Sequence, residues 1–328
     1  MQREKLEIIR AVMLGHAAAD AVGVPAEFKP REELKAFPVT DMTGYGTHRQ
    51  PKGTFSDDTS MSIAALDAIK GGELDYLGVM KNFSAWYGKS EYTASGVFFD
   101  IGGACLGAIS SFDNDGKKSA FGHGASDEYS CGNGGLMRIH PFALYAYYKE
   151  EDTARRMKII HDGTALTHAH PRCLLGSGIF SFILWELMRK PEKASLTRGA
   201  ALSLVYYSKV GENASPELAN EIQTYKRVFK SLATVTGCER TAEAEIRSTG
   251  YVVDTLEAAM WCIMTTNDYK SAVLRAVNLG GDTDTVAAVA GAFAGALYGV
   301  EGIPEDWLEA LVGRGMIEDM CEQFAKNI

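Results

Sequence analysis

The sequence predicts a predominantly helical protein folded as one domain, and three observations lead there. Apolar residues recur at three- and four-residue steps through most of the chain. Alternating strand patterns are almost absent, and the candidates at Val39 to Met42 and Tyr251 to Val253 are too short to build a sheet. Two short acidic clusters, Ser56-Asp57-Asp58-Thr59 and Gly280-Gly281-Asp282-Thr283-Asp284-Thr285, have the composition of two halves of one site. Sharing a site draws the front and the back of the chain together.

The periodic segments, in order, are 4–22, 58–70, 75–87, 141–149, 172–189, 196–207, 216–232, 253–266, 269–279 and 285–299. The first follows a charged start, Met1-Gln2-Arg3-Glu4-Lys5, that reads as an amphipathic helix and not as a signal peptide. It closes at Asp20-Ala21-Val22-Gly23-Val24-Pro25-Ala26-Glu27. The segments at 58 and 285 each begin just after an acidic cluster, where free backbone N–H groups and the helix dipole favour carboxylates and hydroxyl caps. Within 172–189, the apolar run from Cys173 to Trp185 is too short to span a membrane and contains Gly176 and Gly178. Between the helices, 43–54 and 113–135 carry the turn residues, including Gly44, Gly46, Pro51 and Gly53, then Asp113-Asn114-Asp115-Gly116 and further glycines. Neither stretch has the composition of a flexible tether.

Two helices also carry rows of small residues. Ala11, Gly15, Ala19 and Gly23 fall four apart, as do Ala287, Gly291, Gly295 and Gly299. A glycine inside a helix costs about 1 kcal/mol against alanine, so such rows suit a face that another backbone approaches closely. The simplest arrangement packs these two helices on each other, which also brings Glu27 toward Asp282 and Asp284.

The chain has 328 residues, 46% hydrophobic and 23% charged, with a net charge of -9. That is an ordinary globular composition. No basic stripe is present, and an acidic surface repels phosphate backbones, so a nucleic-acid partner is not expected. Cys105, Cys131, Cys173, Cys238, Cys262 and Cys321 are scattered without a C-x-x-C pair, which fits reduced thiols and a cytoplasmic location.

Each acidic cluster has two readings. Helix capping needs one side-chain oxygen, whereas each cluster offers two carboxylates and two or more hydroxyls. Like charges this close repel, and a hard divalent cation such as Mg²⁺, Mn²⁺ or Ca²⁺ relieves that repulsion with oxygen ligands. An EF-hand loop is excluded, because counting from Asp282 its glycine and glutamate positions hold Ala287 and Phe293. The zincin, serine-hydrolase elbow, Walker and dinucleotide-loop motifs are also missing. Four further segments carry chemistry-bearing residues. Glu27 follows the first helix. Asp100 stands among large apolar residues in Phe98-Phe99-Asp100-Ile101-Gly102-Gly103, where helix capping is the alternative. Cys131-Gly132-Asn133-Gly134-Gly135-Leu136-Met137-Arg138 is either a tight turn or an anion cradle. Thr167-His168-Ala169-His170-Pro171 reads as loop hydrogen bonding rather than as a metal-ligand pair.

Gly53-Thr54-Phe55-Ser56-Asp57-Asp58-Thr59-Ser60-Met61 together with Gly280 to Thr285 resembles the paired metal-binding signature of the ADP-ribosylglycohydrolases. Asp20 to Glu27, Gly132 to Arg138 and Thr167-His168 match further blocks in the same order, so the resemblance runs from about residue 8 to about residue 300. The Phe99-Asp100-Ile101-Gly102 block is most similar to the branch that includes the dinitrogenase reductase-activating glycohydrolase, which removes ADP-ribose from arginine. Ser56 stands where many members have threonine and keeps the hydroxyl; Ala19 stands where glycine is usual and bears on local helix packing.

The resemblance implies an all-α domain over residues 1–328 with two Mg²⁺ or Mn²⁺ ions at its centre. Ser56, Asp57, Asp58, Asp282, Asp284 and Thr285 would be the ligands, with Glu27 close by. It further implies hydrolysis of an ADP-ribosyl linkage on a modified protein, arginine being the expected attachment. Asp58 or Glu27 would position water and Asp100 would face the leaving guanidinium. ADP-ribose would contact Asp100, Ile101, Gly102, Asn133, Gly134, Met137, Arg138 and His168, its diphosphate resting on glycine-rich loops. Alternatives are another linkage (serine, O-acetyl-ADP-ribose or nucleic acid), a phosphoesterase using the same oxygens, a non-catalytic ADP-ribose reader, and neutralisation of an ADP-ribosyltransferase by direct binding.

Overall fold

The computed structural model describes residues 4–209, 215–232 and 234–328, and among these the regular elements are helices, with three isolated bridges and no strand. In chain order they are α1 (Lys5–Gly23), α2 (Arg31–Ala36), α3 (Asp57–Ile69), α4 (Tyr76–Lys89), α5 (Gly103–Asn114), α6 (His140–Lys149), α7 (Thr153–Ala165) and α8 (Pro171–Arg189). There follow α9 (Ala194–Ser208), α10 (Pro216–Glu221), α11 (Lys226–Leu232), α12 (Val235–Arg240), α13 (Val252–Met264) and α14 (Tyr269–Asn278). The last are α15 (Thr283–Tyr298), α16 (Glu305–Ala310) and α17 (Arg314–Asn327).

The centre is the α1–α15 pair, and its cause is the absence of side chains. A Cβ built on Gly291 would lie 2.2 Å from the Gly15 carbonyl oxygen, and one on Gly295 would lie 1.9 Å from that of Ala11. Only glycine permits this approach, so the two small-residue rows face each other as their spacing predicts. Gly23 continues the seam, with its virtual Cβ 2.3 Å from the Asp284 Cα. Gly299 does not: it ends α15 at φ 80°, a left-handed conformation suited to glycine. The Tyr269 hydroxyl donates to the Gly15 carbonyl, tying α14 to the same pair. Helices α3, α8, α13, α14 and α17 pack around it.

α1 and its short extension, Lys5–Ala26, are long and apolar enough to cross a membrane by length and composition, but 89% of the apolar window is buried inside the protein. It is a core helix, and its apolar character answers to α15 rather than to lipid.

Several elements depart from the periodicity. The segment 216–232 is two helices, α10 and α11, separated by a turn at 222–225. Tyr251 forms a single bridge with Gly132 and Val252 already starts α13, so no strand forms there. Val39 is held by Asn278, which accepts from its N–H at 2.9 Å and donates to its carbonyl at 2.8 Å. Helices α5, α7 and α17 fall outside the periodic segments, as do the six-residue α2, α12 and α16. α5 is glycine-rich, and in α7 and α17 charged residues dilute the apolar stripe.

Candidate functional site

Asp20, at the end of α1, sets the first half of the site. Its carboxylate accepts from the Ser56 N–H at 3.0 and 3.1 Å, from the Thr59 N–H at 3.0 Å and from the Thr59 hydroxyl at 2.6 Å. A carboxylate from a neighbouring helix thus satisfies the free donors at the start of α3, and Ser56 Oγ accepts from the Asp58 N–H. Burial raises the Asp20 carboxyl to about 6 even though these four hydrogen bonds oppose it. The capping function therefore falls largely to Asp20 and Ser56. Asp57 and Asp58 are left to face inward.

The second half is built by positive-φ turns. Gly280 and Gly281 sit at φ 72° and 74°, and Gly281 exchanges backbone hydrogen bonds with Lys29 (2.9 Å) and Phe28 (2.7 Å). Asp282 N–H donates to Ser248, and the Thr283 hydroxyl donates to the Gly23 carbonyl at 2.8 Å. These contacts hang the start of α15 on the end of α1.

The halves meet. Asp58 Oδ2 accepts from the Ser56 hydroxyl and from the Thr285 hydroxyl, both at 3.2 Å. Asp282 Oδ2 accepts from Asn133 Nδ2 at 2.9 Å, and the same amide donates to Thr255. Asp58 Oδ1, Asp282 Oδ1 and Asp284 Oδ2 are buried with no hydrogen-bond partner. Burial, followed by the neighbouring carboxylates, holds Asp57, Asp58 and Asp284 well above the usual carboxylate range. Ser56, Asp57, Asp58, Asp282, Asp284 and Thr285 thus form an all-oxygen donor set with unused acceptor capacity and mutual repulsion. Both properties fit hard divalent cations.

A histidine joins these acids that sequence reasoning passed over. His48 Nε2 contacts Glu27 Oε2, and its ring lies 5.2 Å from that of Phe99. Glu27, His48, Asp100 and Asp284 each place one potential ligand atom within 4.8 Å of the others. Burial raises Glu27 to about 7, opposed by the His48 contact and reinforced by Asp100 and Asp282, while the bond to Glu27 raises His48. His48 sits in a Gly/Pro loop with no spacing to another ligand, so the sequence carried no signal for it.

Above the acids opens a cavity of about 330 Å³ lined by Glu27, Phe28, Asp57, Asp100, Ile101, Gly102, Gly103, Asn133, Gly134, Met137, His168, Asp282 and Thr285, among others. Ser56, Asp58 and Asp284 lie beneath it, each no more than 1% exposed. Asp100 adopts φ 58°, a left-handed conformation uncommon outside glycine, asparagine and aspartate. Burial raises its carboxyl as well. Just beyond it, α5 begins at Gly102 without a side-chain cap, and a Cβ on Gly102 or Gly103 would meet nothing within 4 Å. The start of α5 is thus open on its Cβ side and its N–H groups have no side-chain cap, a setting that suits an anion. A roomier cleft of about 670 Å³ lies near Arg10, Gly299 and Arg314. It contains none of the unpartnered carboxylates.

Arg138 is a correction. It is fully buried, donates to the Gly163 carbonyl at 3.1 Å and to the Thr167 hydroxyl at 2.7 Å, and lies over the Phe83 ring at 4.9 Å. Its guanidinium is enclosed by protein and cannot cradle a diphosphate. It acts instead through Thr167, whose hydroxyl is 2.8 Å from His168 Nδ1. His168 Nε2, at the other side of the ring, lies beside Gly132 and Gly134. Burial and the Arg138 charge lower His168 to about 3, so it is a neutral ring at the cavity wall. His170, by contrast, caps α8 by accepting from the Arg172 N–H.

A family model described as ADP-ribosylglycohydrolase matches residues 1–328. The chain is 32% identical over 327 residues to an ADP-ribosylarginine hydrolase Tri1 of Serratia proteamaculans, covering 98% of this chain and 80% of that protein. It is 29% identical over 301 residues to the ADP-ribosyl-[dinitrogen reductase] glycohydrolase of Rhodospirillum rubrum, covering 91% and 88%. A solved structure described as an ADP-ribosylglycohydrolase-related protein complex superposes with a TM-score of 0.78 at 28% identity, over 99% of both chains.

Proposed function

The chain belongs to the ADP-ribosylglycohydrolase family, and from that premise we propose that it is a divalent-metal-dependent hydrolase releasing ADP-ribose from modified arginine in a protein substrate. The carrying observation is the convergence of three buried, unpartnered carboxylate oxygens from the two acidic clusters at the base of a cavity walled by Asp100. The arginine linkage is supported by the name of the Serratia proteamaculans relative and by the acid on that wall. Six buried, free cysteines support a reducing, cytoplasmic setting.

Ser56, Asp57, Asp58, Asp282, Asp284 and Thr285 would hold two Mg²⁺ or Mn²⁺ ions. When bound, these ions supply positive charge that orients ribose hydroxyls and a water molecule. The rest falls to the chain. Glu27, held near 7 by burial, accepts a proton from the attacking water at neutral pH, and the His48 contact fixes its direction. Asp100 pairs with the guanidinium as positive charge develops toward an oxocarbenium ion. The neutral His168 ring and the uncapped start of α5 offer polar contacts for ADP-ribose.

A panel of arginine-, serine-, O-acetyl- and nucleic-acid-linked ADP-ribose, assayed with Mg²⁺ and with EDTA, tests this reading. Release from arginine in Mg²⁺ alone is expected, and preferential release from another linkage would replace arginine as the assignment. Asp100→Asn is expected to lose most of this activity while retaining calorimetric binding of free ADP-ribose. Asparagine tolerates φ 58°, so the substitution tests charge rather than backbone. Unfolding of that variant would return Asp100 to a structural role.

A further inference from the structure

Cys131 and Cys173 belong to no step above, yet they sit where the glycine-rich loop meets α8. Cys173 Sγ lies 3.7 Å from the Gly132 carbonyl oxygen and 4.0 Å from that of Ser130, so the thiol approaches the backbone on both sides of Cys131. The two side chains are hydrogen-bonded to each other. The hydrogen bond from Cys173 lowers the Cys131 thiol, partly opposed by burial and aided by the Arg172 guanidinium, whereas the same bond and burial raise Cys173. Cys131 is 4% exposed and Cys173 1%. One sulfur is the better nucleophile and the other is already beside it, the arrangement of an attacking and a resolving thiol.

We propose that Cys131 and Cys173 form a reversible thiol-modification site, converted to a disulfide by hydrogen peroxide, that controls the cavity through the Gly132–Gly134 loop. The Cys131 thiolate attacks one peroxide oxygen, the O–O bond breaks, and the departing hydroxide takes a proton to become water, leaving a sulfenic acid. Cys173 sulfur then attacks the sulfenic sulfur, the S–O bond breaks, and hydroxide leaves with the Cys173 proton as a second water. Two electrons pass from the two sulfurs to the peroxide.

The consequence for the cavity is geometric. A disulfide holds its sulfurs about 2.0 Å apart, so Cys131 moves toward α8. The next residues line the cavity, and Asn133 carries the hydrogen bond to Asp282. Tyr251, bridged to Gly132, and Gly250, bonded to the Asn133 N–H at 2.9 Å, resist on the other side. The pull on Cys131 therefore strains the loop that carries Asn133 and its hydrogen bond to Asp282.

The covalent part stands independently of the enzymatic reading, whereas the ligand readout rests on it. After hydrogen peroxide treatment, non-reducing tryptic digestion should yield peptides 119–138 and 173–189 joined and lighter by two hydrogen atoms, with separation on dithiothreitol. Cys131→Ser and Cys173→Ser should each abolish the joined species and keep the reduced protein's ADP-ribose affinity. Oxidised protein should bind ADP-ribose roughly tenfold more weakly, about the effect of one lost charge-assisted hydrogen bond, with recovery on reduction. Over-oxidation of Cys131 without a crosslink would overturn the site. A crosslink with unchanged affinity, or an equal oxidative loss in Cys173→Ser, would overturn control of the cavity. Failure of reduced protein to bind ADP-ribose would instead count against the functional reading, with the peptide mass still reporting on the thiols.

Discussion

Asp58→Asn is expected to slow ADP-ribose release by about a thousandfold or more, while making the metal-free protein more heat-stable. The rate loss follows from removing one carboxylate of the metal-holding set, where several kcal/mol of charge stabilisation correspond to about tenfold per 1.4 kcal/mol. The gain has a different origin. Asp58 is buried among Asp20, Asp57 and Asp282, and burial first, then those neighbours, hold its carboxyl far above its ordinary value. A group whose folded pKa exceeds its unfolded one binds more protons when folded, so stability declines as pH rises from about 4 toward the raised folded value. The asparagine variant lacks that titration and should lose less stability over the same interval. Cations that bind only the folded state stabilise by RT ln(1 + [L]/Kd), so Mg²⁺ should restore the wild type and help the variant less. Thermal unfolding between pH 5 and pH 8, in EDTA and in Mg²⁺, checks this. A variant less stable than wild type in EDTA at pH 8 would show that repulsion at Asp58 is not a significant cost.

Gly291→Leu is expected to produce the largest loss of stability. A Cβ alone at this position would lie 2.2 Å from the Gly15 carbonyl oxygen and 2.4 Å from the Ala19 Cβ, so two helix backbones must separate to admit any side chain. Overpacking of this kind costs about 1–3 kcal/mol or more, a fall in Tm of several degrees for a chain of this size. Activity should fall too, because Gly23 and Thr283 on the same seam fix Asp284 against α1. Near-wild-type unfolding of both Gly291→Leu and Gly15→Leu would mean that the helices can part without cost.

What the sequence disclosed was local. Ser56 to Thr59 and Asp282 to Thr285 each concentrate their oxygens within a few residues, and the small-residue rows repeat at a fixed step, so composition and spacing were enough to find them. What stayed hidden depends on direction and distance. Arg138 follows a glycine-rich turn and looks like an anion contact until its side chain is seen to run inward to Gly163 and Thr167. His48 gains its importance from Glu27, well away in sequence, and from Phe99, farther still. Helix α7 lacks a legible apolar stripe because Arg155, Arg156, Lys158 and Asp162 interrupt it, and Met157, Ile159, Ile160, Gly163 and Thr164 are its buried residues.

The seam between α1 and α15 also constrains how the molecule comes into being. Its two strips of backbone are separated by 260 residues between Gly23 and Thr283, so during synthesis α1 must wait, its small-residue face uncovered, until α15 emerges. Closing so long an intervening segment carries an entropic penalty that grows only slowly with its length, but contacts this distant in sequence retard folding. Asp57 and Asp58 consequently spend the early life of the chain without their counterparts Asp282 and Asp284. The site is therefore incomplete until α15 is in place, and an interrupted chain lacking α15 exposes an apolar strip that favours aggregation.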